Sequence, residues 1–492
     1  MTQSSPNSRV KSLHHLFSRQ ALARQKFKLK ETIKYLNDPD VVFLGGGLPM
    51  SNYFPWKKII GYSPSAPFRE GIDNQPTDDS EATIAELVKY QTQGGCNTDI
   101  PLSTSLQYGS AQGQAALISF LKEHTELIHN IPNNDWDITL TTGNTQAWDA
   151  TLRTFCDPGD SVLVEEYTFA ASIEAVKPLE VNCFPVSIDD HGIVPEKLDE
   201  LLNNWDASKK KPKLLYTIPT GQNPTGSTLS AERREAIYKI ACKHDFIIVE
   251  DEPYYFLQMG NYQPKPERTE YSESPVEDRT HEKLLQSLVP SFIHFDTEGR
   301  VIRLDSLSKV LAPGVRIGWI VAQKKVIEKY VYLNEVSIQS PSGFSQSMVH
   351  SLLTRWGQTG YLEWLIELGH QYTIKRDFTM DVLTEVLPKS VASVVAPTAG
   401  MFFSIVLDGS KHPDFKTKFE SDPLKVEEAL FEASVKEGLL LVPGSWFQSP
   451  NFKARDDTFF FRGTYAAVPL DKLKIGLTRF GDAVKKFYDL YK

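Results

Sequence analysis

Between residues 136 and 306, short runs of β-branched and aliphatic residues alternate with helix-length amphipathic segments, the pattern of a mostly parallel sheet joined by crossover helices. Leu140-Thr141-Thr142 runs into Gly143, and Thr145 to Phe155 reads as a helix. Further strands are predicted at Val162–Val164, Leu214–Ile218, Phe246–Val249 and Val301–Leu304. They end at Glu165-Glu166, Pro219, Glu250-Asp251-Glu252 and Asp305-Ser306 respectively. Ligands of such sheets collect beyond the carboxyl ends of the strands, so the polar residues just after each apolar run are the first candidates for chemistry. Residues 61–100 and 259–290, rich in Pro, Gly, Ser and charge, read as surface loops. After about residue 345 the texture changes. Tyr361 to Leu387 forms a long amphipathic pattern, followed by β-rich segments at Met401–Phe403 and Thr458–Phe461, which predicts a second, smaller α+β domain.

Composition narrows the function classes. The chain carries 53 Lys+Arg against 62 Asp+Glu, a formal charge of −9, which argues against nucleic acid or an acidic membrane surface as the main partner. Cys96, Cys156, Cys183 and Cys242 lie far apart without a C-x-x-C pair, which excludes a disulfide framework or structural zinc site and fits a reducing compartment. The histidines show no metal-ligand spacing, and His14-His15 reads as a solvated pair. No apolar run approaches the roughly 18 residues of a membrane span. Residues 1–30 hold seven Lys/Arg and no acid, which suits either a mitochondrial transit peptide or a basic arm of the mature protein. Trp148, Trp319 and Trp446 are expected in the core.

The most informative segment runs from Ser306 to Gly318, with Ser308, Lys309 and Arg316 inside it. A lysine after a strand end, beside hydroxyls and a second cation, suits a Schiff base next to a phosphate. Its ammonium must lose a proton to attack a carbonyl, and desolvation and neighbouring cations lower its pKa. Arg316 can bind phosphate bidentately with the serines; the same residues also suit a solvated turn. Asn223-Pro224-Thr225-Gly226 is a turn signal that could serve a site. Asp251, at the end of a buried strand, needs a partner. A cationic ring nitrogen would serve, with Tyr254 donating to a phenolate oxygen. The acidic triplet could instead bind Mg²⁺, but adjacent strand residues point to opposite faces.

Together these residues resemble the fold-type I aminotransferases that use pyridoxal 5′-phosphate, most nearly the branch of kynurenine/2-aminoadipate and fungal aromatic aminotransferases. Phe43-Leu44-Gly45-Gly46-Gly47-Leu48-Pro49, Leu106-Gln107-Tyr108-Gly109, Gly400-Met401-Phe402-Phe403 and the arm Leu16-Phe17-Ser18-Arg19 also resemble that branch. The resemblance implies an α/β fold with a mostly parallel seven-stranded sheet flanked by helices plus a smaller α+β domain. It divides the chain into an arm over the active site at 1–50, a large cofactor-binding domain at 51–345 and a small domain at 346–492. By the same resemblance, Lys309 forms the imine with the cofactor and shuttles the proton between Cα and C4′. Asp251 pairs with the pyridine nitrogen, and Asn223 and Tyr254 hydrogen-bond the 3′-oxygen. Asn144, Thr145, Ser306, Ser308 and Arg316 cup the phosphate, at a helix start suited to anions. Phe169, where many relatives have tyrosine, stacks on the ring. Tyr108 reaches the phosphate of the neighbouring subunit, which implies a homodimer with shared sites. Arg462 clamps the substrate carboxylate, with Asn223 and Gly47 beside the substrate.

The implied activity is transamination between aromatic amino acids, with 2-aminoadipate or kynurenine as further candidates, and 2-oxo acids such as 2-oxoglutarate. The expected location is cytoplasmic, since the basic arm resembles the family's mature N-terminus, with a mitochondrial one as the alternative. Decarboxylation, β-elimination or C–C condensation on the same cofactor is the rival chemistry. Aminotransferase-like transcription regulators need a winged helix before the arm, and the roughly 40 residues before Gly45 are too few for one.

Overall fold

The computed structural model describes residues 10–28, 35, 38, 40–42, 44–68, 72, 82–91, 98–265, 280–452 and 456–490. Phe43, Cys96 and residues 266–279 of the 259–290 insertion therefore lie outside the described residues. Besides a two-residue pair at Ile188–Asp189 and Gly192–Ile193, the strands among the described residues are, in chain order, β1 (Lys58–Pro64), β2 (Ala82–Val88), β3 (Trp136–Thr141), β4 (Ser161–Glu165), β5 (Asn182–Val186), β6 (Pro212–Thr217), β7 (Ile247–Asp251), β8 (Val301–Ser306), β9 (Gly318–Gln323), β10 (Ala392–Val394), β11 (Phe402–Asp408), β12 (Val442–Pro443) and β13 (Thr458–Thr464). A seven-stranded sheet has the order β3-β9-β8-β7-β6-β4-β5. The pairs β8–β7, β4–β5 and β4–β6 are parallel, and β9 runs antiparallel to both its neighbours. This is the mostly parallel sheet expected from the sequence. Strands β4, β7, β8 and β9 are buried along their whole length, so they read as continuous runs rather than alternating ones.

The chain forms two compact units. The first comprises residues 1–160, 241–253 and 290–367, and the second 161–240, 254–289 and 368–492. In the first unit, α1 (Asn144–Phe155) packs on β3, β8 and β9 with Ala147, Trp148, Thr151, Leu152 and Phe155 buried. The basic N-terminal segment packs on this helix. Phe17 stacks on Phe155 at 5.2 Å between ring centroids, Ser18 N–H donates to Thr154 O at 2.9 Å, and Leu13 and Leu16 are buried. His14 and His15 are exposed as expected, although His15 meets Asp245 at 2.7 Å.

In the second unit, β10, β11, β13 and β12 form an antiparallel sheet in that order. Strict alternation along β13 turns Phe459, Phe461 and Gly463 into a core shared with Phe403, Ile405, Leu407, Leu473 and Phe480. Burying each Phe is worth about 1.5–3 kcal/mol. Period two then puts Arg462 on the opposite face, directly across from Ser404.

Three expectations need correction. Residues 61–100 are not all loop: β1 and β2 pair antiparallel, Lys58 opposite Val88 and Pro64 opposite Ala82. Ala82–Val88 alternates only at Ala85-Glu86-Leu87, too short a signal against its Pro/Gly-rich flanks. Gly343–Val386 is two helices parted at Gly357, whose φ of 65° and ψ of −178° leave the helix; the second is the one expected at Tyr361–Leu387, and the first was not expected. Trp148 and Trp319 are buried, but Trp446 is 60% exposed with its ring against Phe431. Within 259–290, His281–Ser287 is helical, capped by the Thr280 hydroxyl.

Candidate active site

The first unit gathers one set of expected residues at strand ends. Asp251 is the last residue of β7 and pairs in register with Leu304 of β8, so Asp251, Leu304 and Ser306 share a face. Glu250 and Arg303, also in register, lie on the other face with Asp305. There Arg303 Nε donates to Asp305 at 2.7 Å, while the Glu250 carboxylate accepts from the Phe292 and Ile293 N–H groups at 2.9 and 3.1 Å. The pleat thus separates the acidic triplet, and Glu250 is engaged away from Asp251. Burial raises the Asp305 carboxyl, an effect the Arg303 guanidinium opposes.

Asn144 opens α1, and its amide donates to Asp251 Oδ1 at 2.6 Å and to the Leu304 carbonyl at 2.9 Å. Its own Oδ1 is buried with no hydrogen-bond partner. The side chain therefore steadies Asp251, while the start of the helix keeps backbone N–H groups for an anion: Gly143, its N-cap, supplies no side-chain cap. Gly143 has φ 105°, and a Cβ there would run into the Arg316 guanidinium. Arg316 donates to the Thr142 carbonyl and, at 3.1 Å, to that of Pro313, which aims its side chain along this helix start. Ser306 Oγ donates to Ser308 Oγ at 2.9 Å, and Ser308 N–H donates back to Ser306 Oγ at 3.1 Å. Lys309 follows, half-buried. Burial first, and the nearby Arg316 charge second, depress its pKa below that of an exposed lysine, so more of it is the free amine. Thr145 is exposed at the helix start. An uncapped helix, a guanidinium and two hydroxyls fit a phosphate, and a carboxylate held by Asn144 fits a protonated ring nitrogen.

Tyr108 is 59% exposed. Gln107 ties its neighbourhood to the glycine segment, donating to the Pro49 carbonyl at 2.7 Å and accepting from Tyr108 N–H at 2.9 Å. Gly47 is exposed, and a Cβ built on it meets nothing within 4 Å.

The second unit assembles the rest. Asn223 is 4% exposed, and its Oδ1 accepts from Arg462 Nη1 at 2.7 Å, which leaves the amide N–H₂ as the donor end. The Arg462 guanidinium also lies 4.5 Å from the ring centroids of Phe402 and of Phe447. These π-faces hold it while offering its edges to a carboxylate. Burial lowers its pKa and the neighbouring Tyr254 opposes this, but a guanidinium stays charged throughout the working range. Tyr254 is 5% exposed with its ring edge-on to Phe402 at 5.7 Å. Phe169 is half-buried at the start of Ala170–Val176, its carbonyl held by the Ser172 hydroxyl at 2.6 Å.

The Asn223 turn depends on a close backbone approach. Gly221 has φ 56°, and a Cβ there would lie 2.5 Å from Gly400 Cα and 2.6 Å from Gly400 N. Gly221→Ala is therefore expected to lose about 1–3 kcal/mol of stability, read from chemical denaturation; an unchanged midpoint would show that the two loops can part.

The residues that sequence reasoning missed are Phe402 and Phe447 as the Arg462 sandwich, and Gln222 beside Asn223. Gln222 stood next to a turn motif, which is a weak local signal; Phe447, 15 residues from Arg462, left none.

Comparison with known proteins shows the family. The family model for aminotransferase class I and II matches residues 73–480. An aromatic amino acid aminotransferase of Schizosaccharomyces pombe is 41% identical, over 96% of this chain and 98% of its own length. An L-tyrosine:2-oxoglutarate aminotransferase of Serpula lacrymans is 35% identical, over 90% and 85%. The crystal structure of aminotransferase Aro8 from Candida albicans superposes with a TM-score of 0.90 at 50% identity, covering 98% of this chain and 99% of that one. The chain therefore belongs to the class I and II aminotransferases and is an enzyme of that family.

Proposed function

We propose that this enzyme moves the amino group between aromatic amino acids and 2-oxo acids such as 2-oxoglutarate, with pyridoxal 5′-phosphate as cofactor. The observation that carries the reading is Arg462, fixed by Asn223, Phe402 and Phe447 with its edges presented to a carboxylate. The names borne by its relatives favour aromatic donors, and 2-aminoadipate and kynurenine are the further candidates. Class I and II aminotransferases in general depend on pyridoxal phosphate, and the residues here suit it. Bound, that group supplies a carbonyl carbon for the substrate amine and a ring that accepts the electrons of its Cα–H bond.

The chain's own residues do the rest. Arg316, Ser306, Ser308 and the N–H groups of Asn144 and Thr145 bind the phosphate. Asp251, steadied by Asn144, keeps the ring nitrogen protonated. Asn223 N–H₂ and the Tyr254 hydroxyl donate to the 3′-oxygen, and Phe169 covers the ring face. Lys309 Nζ would take the proton from substrate Cα and deliver it to the carbon on the far side of the intervening nitrogen. Arg462 orients that Cα through the carboxylate, with Gly47 beside the substrate. A panel of amino donors with 2-oxoglutarate tests the reading: tyrosine, phenylalanine or tryptophan should give the highest kcat/KM, and exclusive use of aliphatic or acidic donors would refute it.

We place the arm at 1–50, the large domain at 51–345 and the small domain at 346–492, with two copies sharing their sites. Support for the dimer comes from the exposed apolar residues Val42, Leu44, Met50, Tyr53, Tyr62 and Tyr108. Mixing inactive Lys309→Ala subunits with inactive Tyr108→Ala subunits should restore activity, because one site of each hybrid is intact. Verified hybrids without rescue would place Tyr108 in its own chain's site. Among the described residues no helix is long and apolar enough to cross a membrane. The burial of Leu13, Leu16 and Phe17 in the fold supports reading this segment as an arm of the mature protein, and we place the enzyme in the cytoplasm, with the mitochondrion as the alternative.

A further inference from the structure

We infer that Gln222 is a positioning residue that holds Asn223 and the segment leading to Phe169 in register, with its amide oriented by the buried carboxylate of Glu165. This deepens the cofactor reading above and rests on it.

Gln222 and Glu165 are each 1% exposed. The Gln222 amide N–H₂ donates to Glu165 Oε2 at 2.9 Å and to the Tyr167 carbonyl at 2.6 Å. Its oxygen accepts from Thr225 N–H and from the Thr225 hydroxyl, both at 2.8 Å. Two donors and two lone pairs are all the amide has, so the side chain is saturated. Its backbone closes the same turn: the N–H donates to the Ser227 carbonyl at 2.8 Å, and the carbonyl accepts from Gly226 N–H at 2.7 Å. Asn223 and Pro224 are thus enclosed between fixed points. On the other side, the Tyr167 carbonyl sits two residues before Phe169, and Thr168 N–H donates to the Phe447 carbonyl at 2.9 Å. One amide therefore ties the loop of the ring-stacking Phe169 to the turn of Asn223. Phe447, which flanks Arg462, is joined to the same segment.

Glu165 explains why the amide keeps this orientation. Its carboxylate accepts from the Thr217 hydroxyl at 2.8 Å and from Ile218 N–H at 3.4 Å, which anchors it at the ends of β4 and β6. Both Glu165 oxygens accept, one from Thr217 and the other from Ile218, so they face the N–H₂ end of Gln222. A flipped amide would set its oxygen against both Glu165 and the Tyr167 carbonyl, and would strip Thr225 of its acceptor. Burying a carboxyl group is costly without partners, and Gln222 is one of them.

The test uses the cofactor-loaded protein and three variants: Gln222→Met, which keeps the volume, Thr225→Val, which removes only one hydroxyl, and Asn223→Ala as reference. The readouts are the pH midpoint of the cofactor's visible absorption band, then KM and kcat for an aromatic donor. Gln222→Met should move the midpoint in the same direction as Asn223→Ala and raise KM about tenfold or more through misplacement of the turn. Thr225→Val should do the same to a smaller extent, and it decides the matter if Gln222→Met does not fold. In the double variant with Asn223→Ala, the midpoint should move no further than with Asn223→Ala alone. A lowered unfolding temperature with midpoint and KM unchanged in the variants would make Gln222 a core amide and overturn the inference alone. A wild-type protein without any such band would overturn the cofactor reading and the inference with it.

Discussion

Lys309→Ala is expected to fold and still bind the cofactor through the phosphate-binding residues, yet to lose turnover by roughly 10⁴-fold or more, because one amine serves as both nucleophile and proton carrier. The loop that presents Lys309 does not need the ammonium to keep its shape. Leu307 N–H donates to the Ile317 carbonyl at 3.0 Å, Leu311 N–H to the Leu307 carbonyl at 2.9 Å, and Trp364 Nε1 to the Val310 carbonyl at 2.6 Å. The partly desolvated site and the Arg316 charge make the amine easier to deprotonate, which a structural surface lysine would not need. Borohydride reduction of the wild-type protein followed by peptide mapping should find the cofactor on Lys309, and finding it on another lysine would refute the assignment.

The second large effect concerns Arg462. A dicarboxylate such as glutamate and an aromatic amino acid share only the α-amino and α-carboxylate groups, so an enzyme that uses both must fix its substrates there. The guanidinium fits that task by presenting two parallel N–H donors to one carboxylate. Arg462→Ala leaves the substrate charge without a partner in a partly desolvated site, which costs about 2–5 kcal/mol. At about 1.4 kcal/mol per tenfold, this lowers kcat/KM by roughly 30-fold to several-thousand-fold for every amino and oxo acid. Arg462→Lys should weaken all substrates alike and less severely, since a lysine keeps the charge without the fork. Cofactor affinity should hold in both variants, and amines without a carboxylate should be nearly unaffected. Loss confined to one side-chain class would place Arg462 in the specificity pocket instead.

Much of this was legible in the chain because period and polarity report directly on strands. Of the polar residues that end Val162–Val164, Phe246–Val249 and Val301–Leu304, Glu165, Asp251 and Ser306 stand beside the expected site residues, while Glu250 and Asp305 take the other face of the pleat. Arg462 came from the resemblance, and the alternation of β13 puts it on the face opposite Phe459 and Phe461. What sequence could not show is which side chain meets which across long separations. Asn144 was expected at the phosphate, and its side chain instead grips Asp251, 107 residues away. Glu165 reads as the polar end of a strand, and only the fold shows that it orients Gln222, 57 residues later. The pairing of β1 with β2 was hidden because turn-rich flanks outweighed the brief alternation at Ala85-Glu86-Leu87.

The central claim is amino-group transfer, and the most direct measurement is incubation of the purified enzyme with cofactor, [¹⁵N]tyrosine and 2-oxoglutarate, followed by mass spectrometry. The account predicts ¹⁵N in glutamate, with 4-hydroxyphenylpyruvate formed in equal amount. Label released as ammonium, or tyramine and carbon dioxide in place of the oxo acid, would contradict it.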